Sequence, residues 1–299
     1  MAENIIIPLT IISILNGLLY ASVLFLVSSG LNLVYGVMRI VNLAHGNFFA
    51  LGAYTTVWLL QVYGQTLSAG PIPYIVPPIL GGALVALIAA AVEPTLLRPI
   101  YARLEEFQLI LTFGILLILQ DVFLLVFGGV PLAARDPYFK LGSIQIGEVL
   151  RFPTYNLVVI AVGLLIAFIL WFILYRTKFG IILRATSMDR EISLSLGINV
   201  KTVFTVTFVI GCFIAGLTGG YLAIKDTATL NLGIEILVLS FIVMGGGGLG
   251  SLKGAFIGAL IVGYLRVLVT LTFPEFELAL LWLVAAGILL VRPQGLFGR

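Results

Sequence analysis

Long, almost uncharged apolar runs constrain this chain more than any other feature of its sequence. A helix needs about 20 apolar residues to cross the hydrocarbon layer of a bilayer. Only helices and closed barrels satisfy their backbone groups there, and these runs are too long and continuous for barrel strands. We therefore expect an all-α, polytopic transmembrane helical bundle of about nine spans (eight to ten). The candidate spans lie near 6–35, 41–63, 73–93, 107–128, 154–175, 202–224, 235–248, 254–272 and 277–291.

The charge content excludes a water-soluble globule. Only 10% of the 299 residues are charged and 61% are hydrophobic, whereas soluble domains carry about 25% charged residues. The formal net charge of +3 comes from short loops between the apolar runs, so it reports orientation in the membrane rather than nucleic-acid binding. The chain has no domain-sized polar block, and we expect residues 1–299 to form a single transmembrane domain.

The polar segment 176–201, RTKFGIILRATSMDREISLSLGINVK, is the longest charged stretch of the chain. Ser187 or Asp189 is placed to cap the N-terminus of a short helix. Gly197 suits a left-handed C-terminal cap. The segment is either a solvated loop that follows the positive-inside rule or a helix gripped by a soluble motor, and we call it the coupling segment.

Lys and Arg in short loops predict the orientation. If the coupling segment is cytoplasmic, then Arg39, Arg98 and Arg103 fall on its side of the membrane. Residues 129–153 then form an outer loop, although this loop is itself basic. Its alternating patch FKLGSIQIG predicts a small β-hairpin.

Polar residues within apolar runs are costly and often functional. For His45, the single histidine, an interhelix hydrogen bond is favoured over proton relay. Asp121 either lines a polar pathway or forms a buried ion pair, for which Arg266 is a conceivable partner. The first run is long enough to tilt, or to break near Asn16-Gly17. The Gly-rich stretch 245–251 predicts a helix break and a tight turn, or a hinge.

The chemistry of an enzyme is missing from the sequence. No Ser-His-Asp set, HExxH, GxxxxGK[ST] or paired carboxylates are found, so we expect a transport subunit and no catalytic residue. Neither His45 nor Cys212 belongs to a ligand set, so we expect no metal and no other cofactor. ATP-driven work would have to be done by another chain.

Three segments carry a resemblance to a known family: GLNLVYGVMRIVNLAHGNFFALGAY (30–54), LRATSMDREISLSLGIN (183–199) and FIVMGGGGLGSLKGAFIGALIVG (241–263). The terminal RPQGLFG (292–298) fits the same pattern. Together they resemble the permease subunits of high-affinity branched-chain amino acid ABC transporters, over nearly the whole length. The matching positions are Tyr35, Gly36, Asn42, Ala44, His45, Gly46, Gly52, Ala53, Tyr54, Arg184, Ala185, Gly197, Ile198 and Asn199.

The resemblance implies an importer in the cytoplasmic (inner) membrane. Its partners would be a second related permease (in a heterodimer or a homodimer), two cytoplasmic ATP-binding-cassette ATPases, a soluble substrate-binding protein on the outer face, and membrane lipid. Branched-chain amino acids are the expected substrates. Urea, short amides or other amino acids remain an alternative within the family, and a passive channel is an alternative of another class.

The resemblance and the polar residues together give two sets of candidate site residues. The translocation pathway is predicted to involve His45, Asn47, Asp121 and Glu235. Coupling to the ATPase is predicted to involve Arg184, Ala185, Asp189, Arg190, Glu191, Gly197, Ile198 and Asn199.

Overall fold

The computed structural model describes residues 3–64, 66, 70–101, 103–147 and 150–291. The C-terminal motif 292–298 lies outside the described residues. Helices dominate, and one β-hairpin interrupts them. The helices are α1 (Glu3–Met38), α2 (His45–Tyr63), α3 (Ile72–Val92), α4 (Glu105–Phe127), α5 (Asp136–Lys140), α6 (Thr154–Arg176), α7 (Lys178–Met188), α8 (Arg190–Ser195), α9 (Val200–Lys225), α10 (Leu232–Gly247), α11 (Leu252–Thr272) and α12 (Glu277–Val291).

Each expected span coincides with one helix, which confirms the polytopic helical bundle. Six helices in the described part of the chain are long and apolar enough to cross a membrane: α1, α3, α4, α6, α9 and α11. Helix α10 is apolar but has only 16 residues. The protein is therefore a multi-pass membrane protein, while the expected count of nine crossings stays a prediction.

Helix α1 runs unbroken through Asn16-Gly17, so the predicted alternative of a break there is wrong. Gly17 has a packing role instead. A Cβ at this position would overlap the ring of Tyr264 on α11. The missing side chain lets the two helices approach closely, as small residues do in membrane bundles.

Helix α9 lies at the centre of the bundle, packed against α1, α2 and α3. Glycines allow these contacts. A Cβ on Gly52 of α2 would overlap the backbone of Gly216 on α9, and a Cβ on Gly219 would overlap the carbonyl of Phe49. Because lipid supplies no hydrophobic drive for helix association, such close backbone contacts are what hold the helices together.

The Gly-rich stretch forms the predicted tight turn. Helix α10 ends at Gly247, and Gly248 and Gly250 have φ values of 116° and 73°, which only glycine adopts readily. The Ser251 hydroxyl then caps α11 by accepting from the Gly254 N–H, at 3.1 Å. The turn is fastened to α1, because Asn32 Oδ1 accepts from the Gly250 N–H at 2.8 Å.

The bundle has two distinct ends. At the coupling end, Arg98 of the turn after α3 donates to Thr205 near the start of α9, and Arg39 and Arg103 line one cavity with Arg190 of the coupling segment. The predicted grouping of these basic residues at one end is thus observed. Which end faces the cytoplasm stays a prediction.

The opposite end, the hairpin end, carries the predicted β-hairpin. Strand β1 (Ser143–Ile146) pairs antiparallel with β2 (Leu150–Pro153). Segment 129–153 is fastened to the helices around it: the Tyr74 hydroxyl donates to the Pro137 carbonyl at 2.9 Å, and Arg135 donates to the Thr227 hydroxyl at 3.0 Å.

Candidate coupling segment and transport pathway

The coupling segment folds into two short helices, α7 and α8, whose ends are set by local capping. The Thr177 hydroxyl accepts from the Gly180 N–H at 3.1 Å. Asp189 Oδ1 accepts from the Ile192 N–H at 2.9 Å, so Asp189, rather than Ser187, is the N-cap of α8. Gly197 follows with a φ of 82°, as predicted. Asn199 caps the next helix, accepting from the Thr202 N–H at 3.2 Å.

Arg184 folds back onto the bundle instead of projecting from it. Its guanidinium donates to the Leu174 carbonyl and lies over the ring of Tyr175, 5.1 Å from the centroid. It therefore anchors α7 to the end of α6. Its neighbour Ala185 is half-buried, whereas Glu191 is exposed and Ile198 is half-buried.

The exposed surface of the coupling segment includes large apolar side chains. Met188, Ile192 and Leu196 are 81%, 59% and 74% exposed. They recur every four residues in the sequence: Met188 ends α7, Ile192 lies in α8, and Leu196 directly follows α8. A row of large apolar side chains outside the membrane-spanning helices is typical of a protein interaction site. We call it the docking row. The sequence prediction emphasised the charges and did not identify these three residues.

Arg190 links α8 to the bundle. Its guanidinium lies over the Phe204 ring of α9, 5.3 Å from the centroid. Phe204 in turn meets Tyr101 edge to face, with centroids 5.4 Å apart. The coupling segment thus contacts both the start of α9 and the turn after α3.

A buried carboxylate lies beneath these rings. Glu93 is fully buried at the end of α3, where five residues form a π-helical turn. Its Oε2 accepts from Arg98 Nη2 at 2.8 Å and from the Thr205 hydroxyl at 2.7 Å. Its Oε1 accepts from the Tyr101 hydroxyl at 2.6 Å. We call these four residues the Glu93 cluster, and they join α3 to α9.

The Glu93 cluster keeps its donors protonated. Burial, and then the hydrogen bond to Glu93, raise the pKa of Tyr101 far above its ordinary value of 10.0. The hydroxyl therefore stays a donor at every physiological pH. The sequence analysis did not identify this cluster, because 112 residues separate Glu93 from Thr205.

His45 and Asn47 lie inside the bundle at the start of α2, both fully buried. His45 Nε2 donates to the Val27 carbonyl of α1 at 3.0 Å, so the predicted interhelix hydrogen bond is observed. Asn47 Nδ2 donates to the Leu116 carbonyl of α4 at 2.6 Å. The Asn47 side-chain oxygen and His45 Nδ1 have no hydrogen-bond partner among the described residues.

Asp121 and Glu235 lie on exposed helix surfaces of this chain. The four predicted pathway residues therefore do not form one buried cluster. The conceivable ion pair between Asp121 and Arg266 is not formed, and that prediction was wrong. Helix α4 packs against α2, whereas α11 packs against α1. Arg266 lies over the ring of Tyr20, 4.5 Å from the centroid.

Relatives are found along nearly the whole chain. A 27% identical protein of Methanocaldococcus jannaschii, named as a probable branched-chain amino acid transport permease LivH, aligns over 95% of this chain and 92% of its own length. The Escherichia coli high-affinity branched-chain amino acid transport system permease LivH is 28% identical over 95% of this chain and 94% of its own length. A guanosine ABC transporter permease of Bacillus subtilis, NupQ, is 27% identical over 81% of this chain and 75% of its own length.

Among solved structures, PsaBC from Streptococcus pneumoniae in complex with Fab matches with a TM-score of 0.49 and 16% identity, over 92% of this chain and 89% of that one. The family described as branched-chain amino acid transport system / permease component matches residues 13–291. This family is described as a transport-system permease component, so the chain is a transport subunit and not an enzyme. It belongs to the branched-chain amino acid transport system permease family.

Proposed function

We propose that this chain is the membrane-spanning permease of an ABC importer for leucine, isoleucine and valine, which moves them across the cytoplasmic membrane by alternating access. The names of its relatives support the substrate. The docking row, Met188, Ile192 and Leu196, carries the assignment of ATP-driven coupling, because a passive channel has no need of an exposed apolar row on a capped helix pair.

The coupling segment transmits motion in this proposal. An ATPase that grips α7 and α8 pulls on Arg190, which contacts Phe204, and on Arg184, which is bonded to α6. The Glu93 cluster carries the displacement from α9 to α3. ATP shifts the conformational equilibrium only if the ATPases bind one state of the bundle more tightly than the other.

The proposal includes the partners that the family resemblance implies. Two cytoplasmic ATPases bind the coupling ends of this chain and of a second related permease, in a heterodimer or a homodimer. A soluble binding protein delivers the substrate at the hairpin end. His45, Asn47, Asp121 and Glu235 contribute to the pathway. The exposed Asp121 and Glu235 would then face the second permease or the aqueous route.

A second substrate class has a specific observation in its favour. One relative is named as a guanosine permease, so related chains are associated with different cargo. Urea, short amides and other amino acids also stay alternatives. The proposal of alternating access holds for any of them.

The test is uptake into liposomes that contain this chain with its co-expressed permease and ATPases, and with the binding protein added. Leucine uptake that needs both ATP and the binding protein is the expected result, with guanosine and urea as competitors. Uptake of guanosine or urea in place of leucine would change the proposed substrate but not the importer mechanism. Solute flux through this chain alone, without ATP, would replace the importer with a channel.

The docking row is tested by a matched pair of variants. Ile192→Asp places a charge in the row, whereas Ile144→Asp places one on a comparably exposed isoleucine (46%) at the hairpin end. We expect Ile192→Asp to abolish co-purification of the ATPases and Ile144→Asp to leave it intact. Equal co-purification of both variants would refute the docking row.

A further inference from the structure

A cavity of about 330 Å³ opens at the coupling end of the bundle. It lies between the end of α1, the turn before α4 and the α7–α8 corner. Its polar lining includes Arg39, Arg103, Arg190, Glu105, Thr186 and Ser187.

The charge of this cavity is strongly positive. Three guanidinium groups line it against the carboxylate of Glu105. The hydroxyls of Thr186 and Ser187 already donate to backbone carbonyls of α7, so the guanidinium groups supply the donors for an anion. The nearby Arg98 is already engaged by Glu93. An anion with several oxygens, such as a phosphate ester, matches this lining, because arginine bonds such groups through two N–H donors at once.

The backbone at one wall of the cavity is strained. Arg39 has a φ of 58°, a left-handed conformation that is uncommon for residues other than glycine. Such conformations persist only where the surrounding structure holds them, and they cluster at binding sites. Here the strained residue is one of the three arginines of the cavity.

An apolar strip continues from the cavity along α4. Leu104, Phe107 and Ile110 are 69%, 55% and 68% exposed, and their spacing of three residues keeps them on neighbouring positions of one helix side. The strip belongs to a membrane-spanning helix that begins at Glu105. The surface therefore combines an anion-binding cavity with an adjoining apolar track.

We propose that this cavity binds the phosphate headgroup of an anionic phospholipid, whose acyl chains lie along Leu104, Phe107 and Ile110. Basic pockets between transmembrane helices are typical binding sites for acidic headgroups. The apolar strip favours a lipid over an acidic side chain of a soluble partner. Because Thr186, Ser187 and Arg190 belong to α7 and α8, the bound lipid contacts the coupling segment directly.

The experiment is native mass spectrometry of the full-length chain in detergent, titrated with dioleoyl phosphatidylglycerol or dioleoyl phosphatidylcholine. We expect preferential binding of phosphatidylglycerol. Arg39→Gln with Arg103→Gln should weaken it by about fivefold for each guanidinium removed. Arg135→Gln, a matched loss at the hairpin end, should leave it unchanged. Glu105→Gln should strengthen it, which keeps the test decisive if the double variant fails to fold.

Three outcomes would overturn the proposal. One is equal binding of the two lipids by the wild-type chain. Another is unchanged phosphatidylglycerol binding in both the double variant and Glu105→Gln. The third is displacement of the lipid by millimolar inorganic phosphate or by the ATPase subunits, which would assign the cavity to a free anion or to the soluble partner.

Discussion

The guanidinium of Arg190 lies over the ring of Phe204, 5.3 Å from its centroid. This contact joins the coupling segment to α9, the central helix of the bundle. It predicts an energetic coupling between the two side chains.

A double-mutant cycle measures this coupling. Arg190→Ala and Phe204→Leu each remove the cation–π contact, while leucine keeps most of the apolar volume. Phe204 is buried but Arg190 is exposed, so we expect a coupling energy of about 0.5–1 kcal/mol, measured as thermal stability in detergent. A cycle of Lys178→Ala with Phe204→Leu serves as control. Additive effects of Arg190→Ala and Phe204→Leu would contradict the contact.

Glu93→Ala should destabilise the protein strongly. Breaking a buried ion pair costs about 3–5 kcal/mol, and here the Arg98 side chain is 32% exposed, so water offsets part of the loss. We expect about 2–3 kcal/mol by the same measurement. Glu275→Gln, at an exposed position, should have almost no effect. A neutral result for Glu93→Ala would mean that the Glu93 cluster is not formed.

Gly52→Ala should separate α2 from α9. The added methyl group overlaps the Gly216 backbone, and overpacking costs about 1–3 kcal/mol. Gly114→Ala in α4 is the matched control, because a Cβ there meets nothing within 4 Å and alanine favours helix. We expect a lower thermal midpoint for Gly52→Ala and an equal or higher one for Gly114→Ala. The opposite order of thermal midpoints would contradict the close contact between α2 and α9 at Gly52.

Asp189→Ala should fray α8 and weaken ATPase docking. Loss of an N-cap costs about 1 kcal/mol, and α8 has only six residues. Hydrogen exchange of residues 190–196 should accelerate about fivefold. Asp189→Ser, which also caps, should restore slow exchange. If the alanine and serine variants show the same hydrogen-exchange rate, the side chain of Asp189 does not stabilise α8.

Asp121→Asn tests the pathway without changing side-chain volume. If the exposed carboxylate faces the aqueous route, uptake should fall several-fold while ATPase co-purification stays intact. Glu106→Gln, on the same helix at an exposed position of its first turn, should transport normally. Normal uptake by the Asp121→Asn variant would mean that the charge of Asp121 plays no part in the pathway.

Local features were predictable from the sequence and long-range ones were not. The caps at Asp189 and Gly197 depend on neighbouring residues, and the hairpin follows from an alternating pattern, so both were predicted. The Glu93 cluster depends on which helices pack together, as does the failed pairing of Asp121 with Arg266. Gly17 could equally mark a break or a close crossing, because glycine permits both.

The candidate site was likewise predictable only in its local features. The position of the coupling segment follows from its charge in an otherwise apolar chain. Its docking face does not, because Arg184 could have projected outward or bonded Leu174, and only the packing of α7 on α6 decides between them. Exposure of Met188 and Leu196 likewise depends on how the two short helices lie on the bundle.

The antiparallel contact of α1 with α11, at Gly17 with Tyr264 and at Gly36 with Gly250, has a consequence for biogenesis. Helix α1 ends at Met38, but its main packing partner α11 begins only at Leu252, so the whole intervening chain must be synthesised before the two helices can meet. Until then its small-residue face lies open to lipid and chaperones. A nascent chain that stalls before α11 therefore lacks the contact that closes the bundle, and quality-control proteases should recognise it through α1.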